Sequence, residues 1–540
     1  MGTTTDCDVL IVGGGMAGLT AAAYLSRAGR QVVLCEKEPA VGGLVRSFQH
    51  NGFTFDGGIR AIENSGVIVP MLRQLGVDLE FLPSTVSIAL GQDVVRVHSR
   101  DSLGDYQGLL DKHFPADHAD IAAILGEIVK VMGYMDVLYG IDNPLFLDLQ
   151  NDPQYVVRTL LPWLVKYLLT MPKIDQLKMP VDEYLARFTS NPALIDIIAQ
   201  HFFQKTPTFF ALGYFSLYLD YEYPRGGTGA LSGAVEAFVR RNGTDIRTDT
   251  RITRIAPATR EAVDAQGSAY RYRKLIWAAD AKTLYRVLDT DGLPDGKARA
   301  AIGARQASLA GKVGGDSVFS VYVTADLDPE YFRDIASAHV FYTPTPTGLS
   351  QASLTELVVT PSNPPRFTDD KGRFFDWLDR HLALNTYEVS CPALRDPSLA
   401  PPGKTGVIVS LLFDYALTRH IEAMGWYGEF RTVMAERIIQ VLDRGLYPGL
   451  QAAVTHHFTT TPLTLERVSG NAEGAITGWA FTNQPMPAVN KMIKVASSVE
   501  TPIPDTYQAG QWTFSPAGLP ISIMTGKMAA DRVLRDLRRG

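Results

Sequence analysis

Asp8-Val9-Leu10-Ile11-Val12-Gly13-Gly14-Gly15-Met16-Ala17-Gly18 decides the fold. The first five residues read as a short apolar strand. The next six supply G-x-G-x-x-G, and Leu19 to Ala28 reads as a helix rich in alanine and leucine. A glycine loop between a strand and a helix opens a βαβ unit. There the first glycine (Gly13) turns the chain, the second (Gly15) lets backbone approach a pyrophosphate, and the third (Gly18) packs helix on strand. The helix N-terminus offers free N–H groups and partial positive charge to that pyrophosphate. Gln31 to Cys35 is a second apolar strand, and it ends on Glu36. A carboxylate there accepts hydrogen bonds from ribose hydroxyls, whereas an arginine would suit a 2′-phosphate, so NADP is disfavoured.

The residues just beyond Glu36 choose between the remaining dinucleotides. Gly42-Gly43 lets the backbone lie against a cofactor, and Arg46 can answer its phosphate or ribityl region as a planar fork of donors. Phe53-Thr54-Phe55-Asp56-Gly57-Gly58 follows. NAD sites need nothing of this kind, and FAD is the cofactor expected.

At 540 residues, the chain has room for roughly three or four domain equivalents. With 46% hydrophobic and 20% charged residues and a net charge of −6, it is globular, somewhat apolar and without a nucleic-acid footprint. Cys7, Cys35 and Cys391 show no metal spacing, and disulfides are not expected. No run of about 20 residues is apolar enough to span a bilayer. A cytoplasmic setting is expected.

The architecture expected is α/β: a discontinuous Rossmann-like FAD-binding domain of the glutathione-reductase type with an inserted α+β substrate domain. The FAD-binding parts fall at 1–85, 224–315 and 496–540. A helical substrate or membrane-facing region spans 86–223, and a substrate domain with a sheet spans 316–495. Tyr223-Pro224-Arg225-Gly226-Gly227-Thr228-Gly229 is a breaker cluster before a helix whose Leu231, Val235, Phe238 and Val239 share one face. Strands are expected at Arg251 to Ile255, Leu275 to Asp280 (ending in an acid), Val318 to Val323 and Val407 to Leu412. The chain returns at Thr506 to Gly510, and Pro520 opens a final helix.

The glycine loop, the G-G-L-V-R-S-F and G-F-T-F-D-G-G stretches, Y-P-R-G-G-T-G-A-L, T-P-L-T-L-E-R and the closing G-Q-W…P-A-G-L-P together resemble the phytoene desaturase family of FAD-dependent oxidoreductases. That family includes carotenoid desaturases, carotenoid isomerases and retinol saturases, and it is related to the amine oxidases. Carried over by position, the resemblance implies FAD contacts at Gly13, Gly15, Met16, Ala17, Gly18, Glu36, Lys37, Gly43, Arg46 and Ile252. At the far end it implies contacts at Gly510, Gln511, Leu519, Pro520 and Ile521. Two departures stand out. Gln511 occupies a position where many relatives are acidic, and Gly58-Ile59-Arg60-Ala61-Ile62-Glu63 replaces a Gly-Pro-Thr type run. An Arg60–Glu63 pair beside the flavin makes Arg60 and Glu63 the candidate catalytic residues, in a site more polar than a hydrocarbon requires.

A flavin carries the hydride step at its N5, so few catalytic side chains are needed. No metal site or Ser/His/Asp constellation is visible. His456-His457, adjacent on a strand, face opposite ways. Phe202-Phe203, Phe209-Phe210, Tyr214, Tyr218, Tyr221 and Tyr223 read either as a tunnel lining for a long apolar ligand or as ordinary helix packing. The run 156–171 reads either as a buried helix or as a peripheral contact at the inner face of a membrane, with Trp163 and Tyr167 at headgroup depth. One G-x-G-x-x-G and no second nucleotide fold point to oxygen or a quinone as electron acceptor. The leading expectation is an oxidoreductase that desaturates, saturates or isomerises a long isoprenoid or polyene. An amine oxidase-like enzyme on a smaller polar substrate and a non-catalytic flavin- or lipid-binding protein are the alternatives.

Overall fold

The computed structural model describes residues 3–149, 153–362 and 364–539. Thr4–Val12 is the centre of the first sheet, flanked in parallel by Val32–Cys35 and Ala269–Trp277. A parallel strand covered by helices is buried on both faces, so its sequence is a continuous apolar run rather than an alternation. Val9, Leu10 and Ile11 are accordingly fully buried. Asp245–Arg247 extends the sheet beyond Val32–Cys35, and Thr506–Gln508 joins Ala269–Trp277 in parallel. Glu261–Asp264 and Ile252–Ala256 complete it as antiparallel strands. Three distant stretches of chain thus build one Rossmann-like domain. The helices Met16–Arg27, Gly229–Arg241 and Leu519–Arg539 pack together over one face of this sheet.

The second sheet has seven strands in the order Val454–Thr460, Ser317–Ala325, Thr405–Phe413, Tyr387–Ser390, His339–Thr343, Val86–Leu90, Asp93–Val97. The last two correct the expectation that 86–223 is helical from its start. Val86–Leu90 pairs in parallel with His339–Thr343, and the burial of Val86, Leu90 and Val97 under the helices that follow explains why. Lys371–Leu384 and Tyr427–Arg444 cover one face of this sheet with a core that includes Phe374, Trp377, Phe430 and Met434. The opposite face is left to the cavity described below.

The breaker cluster at 223–229 begins inside a strand. Tyr221–Pro224 pairs with both Ile62–Glu63 and Phe81–Pro83. Asp56 ties this junction together. Its carboxylate accepts hydrogen bonds from Ser47 Oγ, Tyr223 Oη, the Thr228 N–H and Thr228 Oγ1 at 2.7–2.9 Å. The F-T-F-D-G-G and Y-P-R-G-G-T-G stretches therefore meet at one buried carboxylate, a charge that burial tolerates only with such partners.

Leu161–Asp175 is helical and lies on the outside. Leu161, Leu164, Val165, Leu168 and Leu169 are 41–66% exposed, so no protein core covers that face. Trp163 and Tyr167 correct a second expectation, because they turn inward. Trp163 donates to the Val137 carbonyl at 2.6 Å and packs on Tyr167. Among the described residues no helix is long and apolar enough to cross a membrane.

Candidate active site

One cavity of about 1470 Å³ runs from the glycine loop, past the second sheet, to the helix Leu161–Asp175. Ordinary small-molecule pockets occupy about 300–1,000 Å³, so this one has room for a cofactor and a further ligand. Every position implied for FAD lines it except Gly18. Gly18 instead packs against the loop: a Cβ there would lie 2.0 Å from the Gly13 carbonyl oxygen.

The nucleotide end is built for an anion. Gly15 precedes the helix Met16–Arg27 in an extended conformation, no side chain caps that helix, and its first turn holds no acid. Its unpaired N–H groups therefore face the cavity beside Gly15, Met16 and Ala17. A Cβ on Gly15 would meet no protein atom within 4 Å, so the bare backbone leaves space a ligand can fill. Glu36 is held in place by the N–H groups of Gly14 (2.7 Å, to Oε2) and Glu38 (2.9 Å, to Oε1), with lone pairs left for hydroxyl donors. Arg46 lines the same wall and makes no ion pair or side-chain hydrogen bond among the described residues. At the far end the helix Leu519–Arg539 starts against the cavity, again with no acid in its first turn. These residues fit a flavin dinucleotide.

Lys37 has another use. Its ammonium bonds Glu38 and the carbonyls of Arg467 and Val468, at 2.7–2.8 Å. Its three donors are spent on protein, and it anchors the end of the helix Pro462–Ser469.

The substrate end corrects the expected Arg60–Glu63 pair. Both line the cavity, but they do not meet in an ion pair. The carbonyls of Asp56 and Gly58 draw the Arg60 guanidinium back along its own loop, and its other nitrogen donates to Ser410 Oγ at 3.0 Å. Glu63 sits opposite Tyr221 in the small sheet. It is deep in the protein, yet part of its surface faces the cavity. That burial, reinforced by Asp220, pushes its carboxyl up to about 7.

This shift has a consequence for stability. The folded chain keeps the Glu63 proton to higher pH than the unfolded chain, so stability is full below 4.5 and is lost as pH rises through about 7. Glu63→Gln mimics the protonated form. The fall in melting temperature between pH 5 and pH 8 is expected to be smaller in this variant than in the unsubstituted protein. Parallel melting curves at both pH values would overturn the assignment.

Sequence reasoning missed the cavity floor. Thr460, Ser320, Ser410, Glu388 and Phe341 stand opposite one another across five strands of the second sheet, and all line the cavity. The available signal was a lone serine inside each of two apolar strands, Val318-Phe319-Ser320-Val321 and Val409-Ser410-Leu411. Glu388 accepts from His339 Nε2 at 3.0 Å. Burial raises the Glu388 carboxyl, but the His339 hydrogen bond and the Arg60 and Arg395 charges outweigh it and hold it below its ordinary value. Burial lowers the His339 imidazole, against the pull of the neighbouring Glu388 carboxylate. One arm of the cavity is mostly apolar, lined by Leu138, Phe202, Phe203, Phe209, Phe210, Tyr214, Leu217, Trp163, Leu168 and Met171. Tyr218 and Tyr223 lie behind this lining.

A family model for flavin containing amine oxidoreductases matches residues 16–534. The chain belongs to this family. It is an FAD-dependent oxidoreductase. Its relatives include the chloroplastic prolycopene isomerase of Daucus carota, 23% identical over 562 residues that cover 99% of this chain and 81% of that protein. The 4,4'-diapophytoene desaturase (4,4'-diaponeurosporene-forming) of Staphylococcus aureus is 22% identical over 558 residues, covering 98% of this chain and 99% of that one. The resemblance to the carotenoid desaturase group therefore holds along the whole chain. Among solved structures, an oxidoreductase from Methanosarcina mazei superposes with a TM-score of 0.59 at 14% identity, covering 98% of this chain and 100% of that one. That likeness concerns the fold.

Proposed function

We propose that this flavin-dependent oxidoreductase acts on a long apolar isoprenoid or polyene, by desaturation, saturation or cis–trans isomerisation. One observation carries the reading: a single cavity joins the nucleotide wall to an aromatic arm that ends at Leu168 on an exposed apolar helix. The names of the carrot and staphylococcal relatives support it. The helix Leu161–Asp175 rests on a membrane at its inner face, and the substrate enters from the lipid.

The bound flavin supplies two-electron chemistry, taking or giving hydride. The chain does the rest. Met16, Ala17, Glu36, Arg46 and the start of the helix Leu519–Arg539 hold the cofactor. Phe202, Phe210 and Tyr214 align the apolar chain and exclude water. Glu63, poised near neutrality, takes up the proton that leaves carbon in a desaturation and returns it in a saturation. In a desaturation the electrons leave to oxygen or a quinone, a saturation instead draws two electrons from a reductant, and an isomerisation needs neither.

The test is anaerobic. Protein reconstituted with FAD is mixed with vesicles carrying linear C30 or C40 polyenes, and the flavin and polyene bands are followed. A polyene band shift or flavin bleaching is expected. Flavin bleaching on an amine panel with no polyene response would overturn the reading in favour of an amine oxidase. A flavin that no substrate reduces and a polyene that never changes would leave a binding protein.

A further inference from the structure

We propose that the substrate carries, on its apolar chain, an oxygen that accepts hydrogen bonds, and that Arg60 with the Ser320–Ser410 pair receives it at the cavity floor. The inference rests on the apolar-chain reading above and narrows it to an amphiphile.

The polar groups of the floor are more than a stray serine. Thr460, Ser320, Ser410 and Glu388 form one cross-strand row. Arg60 lies against it, donating to Ser410, whose hydroxyl is 2.8 Å from that of Ser320. Arg60 is 4% exposed, Ser320 1% and Ser410 3%. Three of the five guanidinium donors are engaged, by the Asp56 and Gly58 carbonyls and Ser410. The Arg60 Nε–H is buried without a partner.

A purely structural role explains only part of this. Arg60 does staple its own loop, but that task does not need Ser320. Nor does it need an unspent donor on a residue that lines the cavity. A packed apolar row would serve a hydrocarbon better, because unpaired buried polar groups are costly. A hydrocarbon pressed onto this floor displaces water and returns no hydrogen bond. An acceptor oxygen returns one, while the rest of the chain lies along Phe202, Phe210 and Tyr214. Sites built to hydrogen-bond a substrate oxygen reject the analogue that lacks it by up to about 10⁴–10⁵-fold. With a largely apolar cavity, about 100-fold is the discrimination expected here.

The experiment compares four C20 ligands that share one tetraene chain: geranylgeranoic acid, geranylgeranial, geranylgeraniol and the parent hydrocarbon. Binding to the FAD-reconstituted protein in detergent micelles is read from the flavin visible spectrum and from tryptophan quenching. Affinities are expressed as mole fraction in the micelle, so that partitioning cancels. At least one oxygenated ligand is expected to bind about 100-fold more tightly than the hydrocarbon. Whichever of the three leads identifies the group. Arg60→Met and Ser410→Ala are each expected to cut the ratio about tenfold or more without weakening hydrocarbon binding. Ser410→Ala spares the loop staples, so the ratio stays measurable if Arg60→Met does not fold. Equal affinities in the unsubstituted protein, or a ratio that survives Ser410→Ala and any folded Arg60→Met, overturn this proposal alone. Silence from all four ligands, the hydrocarbon included, removes the apolar-chain reading beneath it.

Discussion

Gly18→Val is expected to weaken flavin binding about 100-fold and to destabilise the fold, whereas Gly15→Ala is expected to weaken binding in a protein that still folds. The two glycines sit three residues apart in one motif, and they fail for different reasons. A Cβ at Gly18 would lie 2.0 Å from the Gly13 carbonyl oxygen and 3.4 Å from the Ala278 Cβ. The first neighbour is backbone and cannot rotate away, so the helix Met16–Arg27 has to lift off its strand. Overpacking of this kind costs about 1–3 kcal/mol and more where backbone must move. Lifting the helix also carries its free N–H groups away from the pyrophosphate position. About 3 kcal/mol of lost binding is roughly a 100-fold rise in Kd. At Gly15 the φ of −71° suits alanine and a Cβ meets no protein atom within 4 Å. The added methyl occupies only cavity space where the cofactor approaches. Flavin-to-protein ratio after gel filtration, with the melting temperature of the flavin-free protein, separates the cases. Gly18→Val should lower both, and Gly15→Ala the ratio alone. A Gly18→Val protein that retains full flavin would show that this close packing is not needed. A Gly15→Ala protein with unchanged flavin affinity would place the pyrophosphate elsewhere.

That contrast shows why the nucleotide end of this molecule is legible in the sequence. Gly13, Gly15 and Gly18 act within one turn of chain, so their spacing carries their geometry. Glu36 is fixed by the N–H of Gly14, a partner from the same βαβ unit. The returning end, Gly510 to Ile521, is legible for the same reason: a strand, a glycine and a proline-opened helix are local events. The cavity floor is a different matter. Ser320 and Ser410 are 90 residues apart, and only the register of two long strands sets them side by side. Glu388 joins them through a third strand, and His339 through a fourth. Nothing near any of these residues announces the others. Arg60 and Glu63 show the opposite hazard. Closeness in sequence suggests a pair, yet the carbonyls of Asp56 and Gly58 capture the guanidinium first. Val86–Leu90 was hidden likewise, because its partner strand His339–Thr343 lies about 250 residues on. The exposed helix stayed ambiguous because an apolar helical run has the same pattern whether protein or lipid covers it.

Val165→Glu with Leu169→Glu is expected to detach the protein from vesicles without disturbing its fold. The two residues are one turn apart on the helix Leu161–Asp175, 60% and 66% exposed, and neither lines the cavity. Leu161, Leu164 and Leu168 share their stripe at the i, i+3, i+4 spacing of one helix face. Fully burying such a side chain in an apolar medium is worth about 1.5–3 kcal/mol. Losing two of them, and adding two charges at the lipid boundary, should lower vesicle partitioning by at least about 100-fold. Because apolar area carries the attachment, binding to uncharged vesicles should persist at high salt, where screening would release an electrostatic contact. Flotation with neutral vesicles measures it directly. The double variant should remain in the soluble fraction with its flavin content and melting temperature unchanged, since no buried contact is lost. Its turnover of vesicle-borne substrate should fall, while turnover of the same substrate in detergent micelles should not, because the cavity wall at Trp163, Leu168 and Met171 is intact. Equal flotation of both proteins would sink the membrane reading. A concentration-dependent dimer that the double variant loses, with no flotation of either protein, would mean instead that a second copy of the chain covers this face.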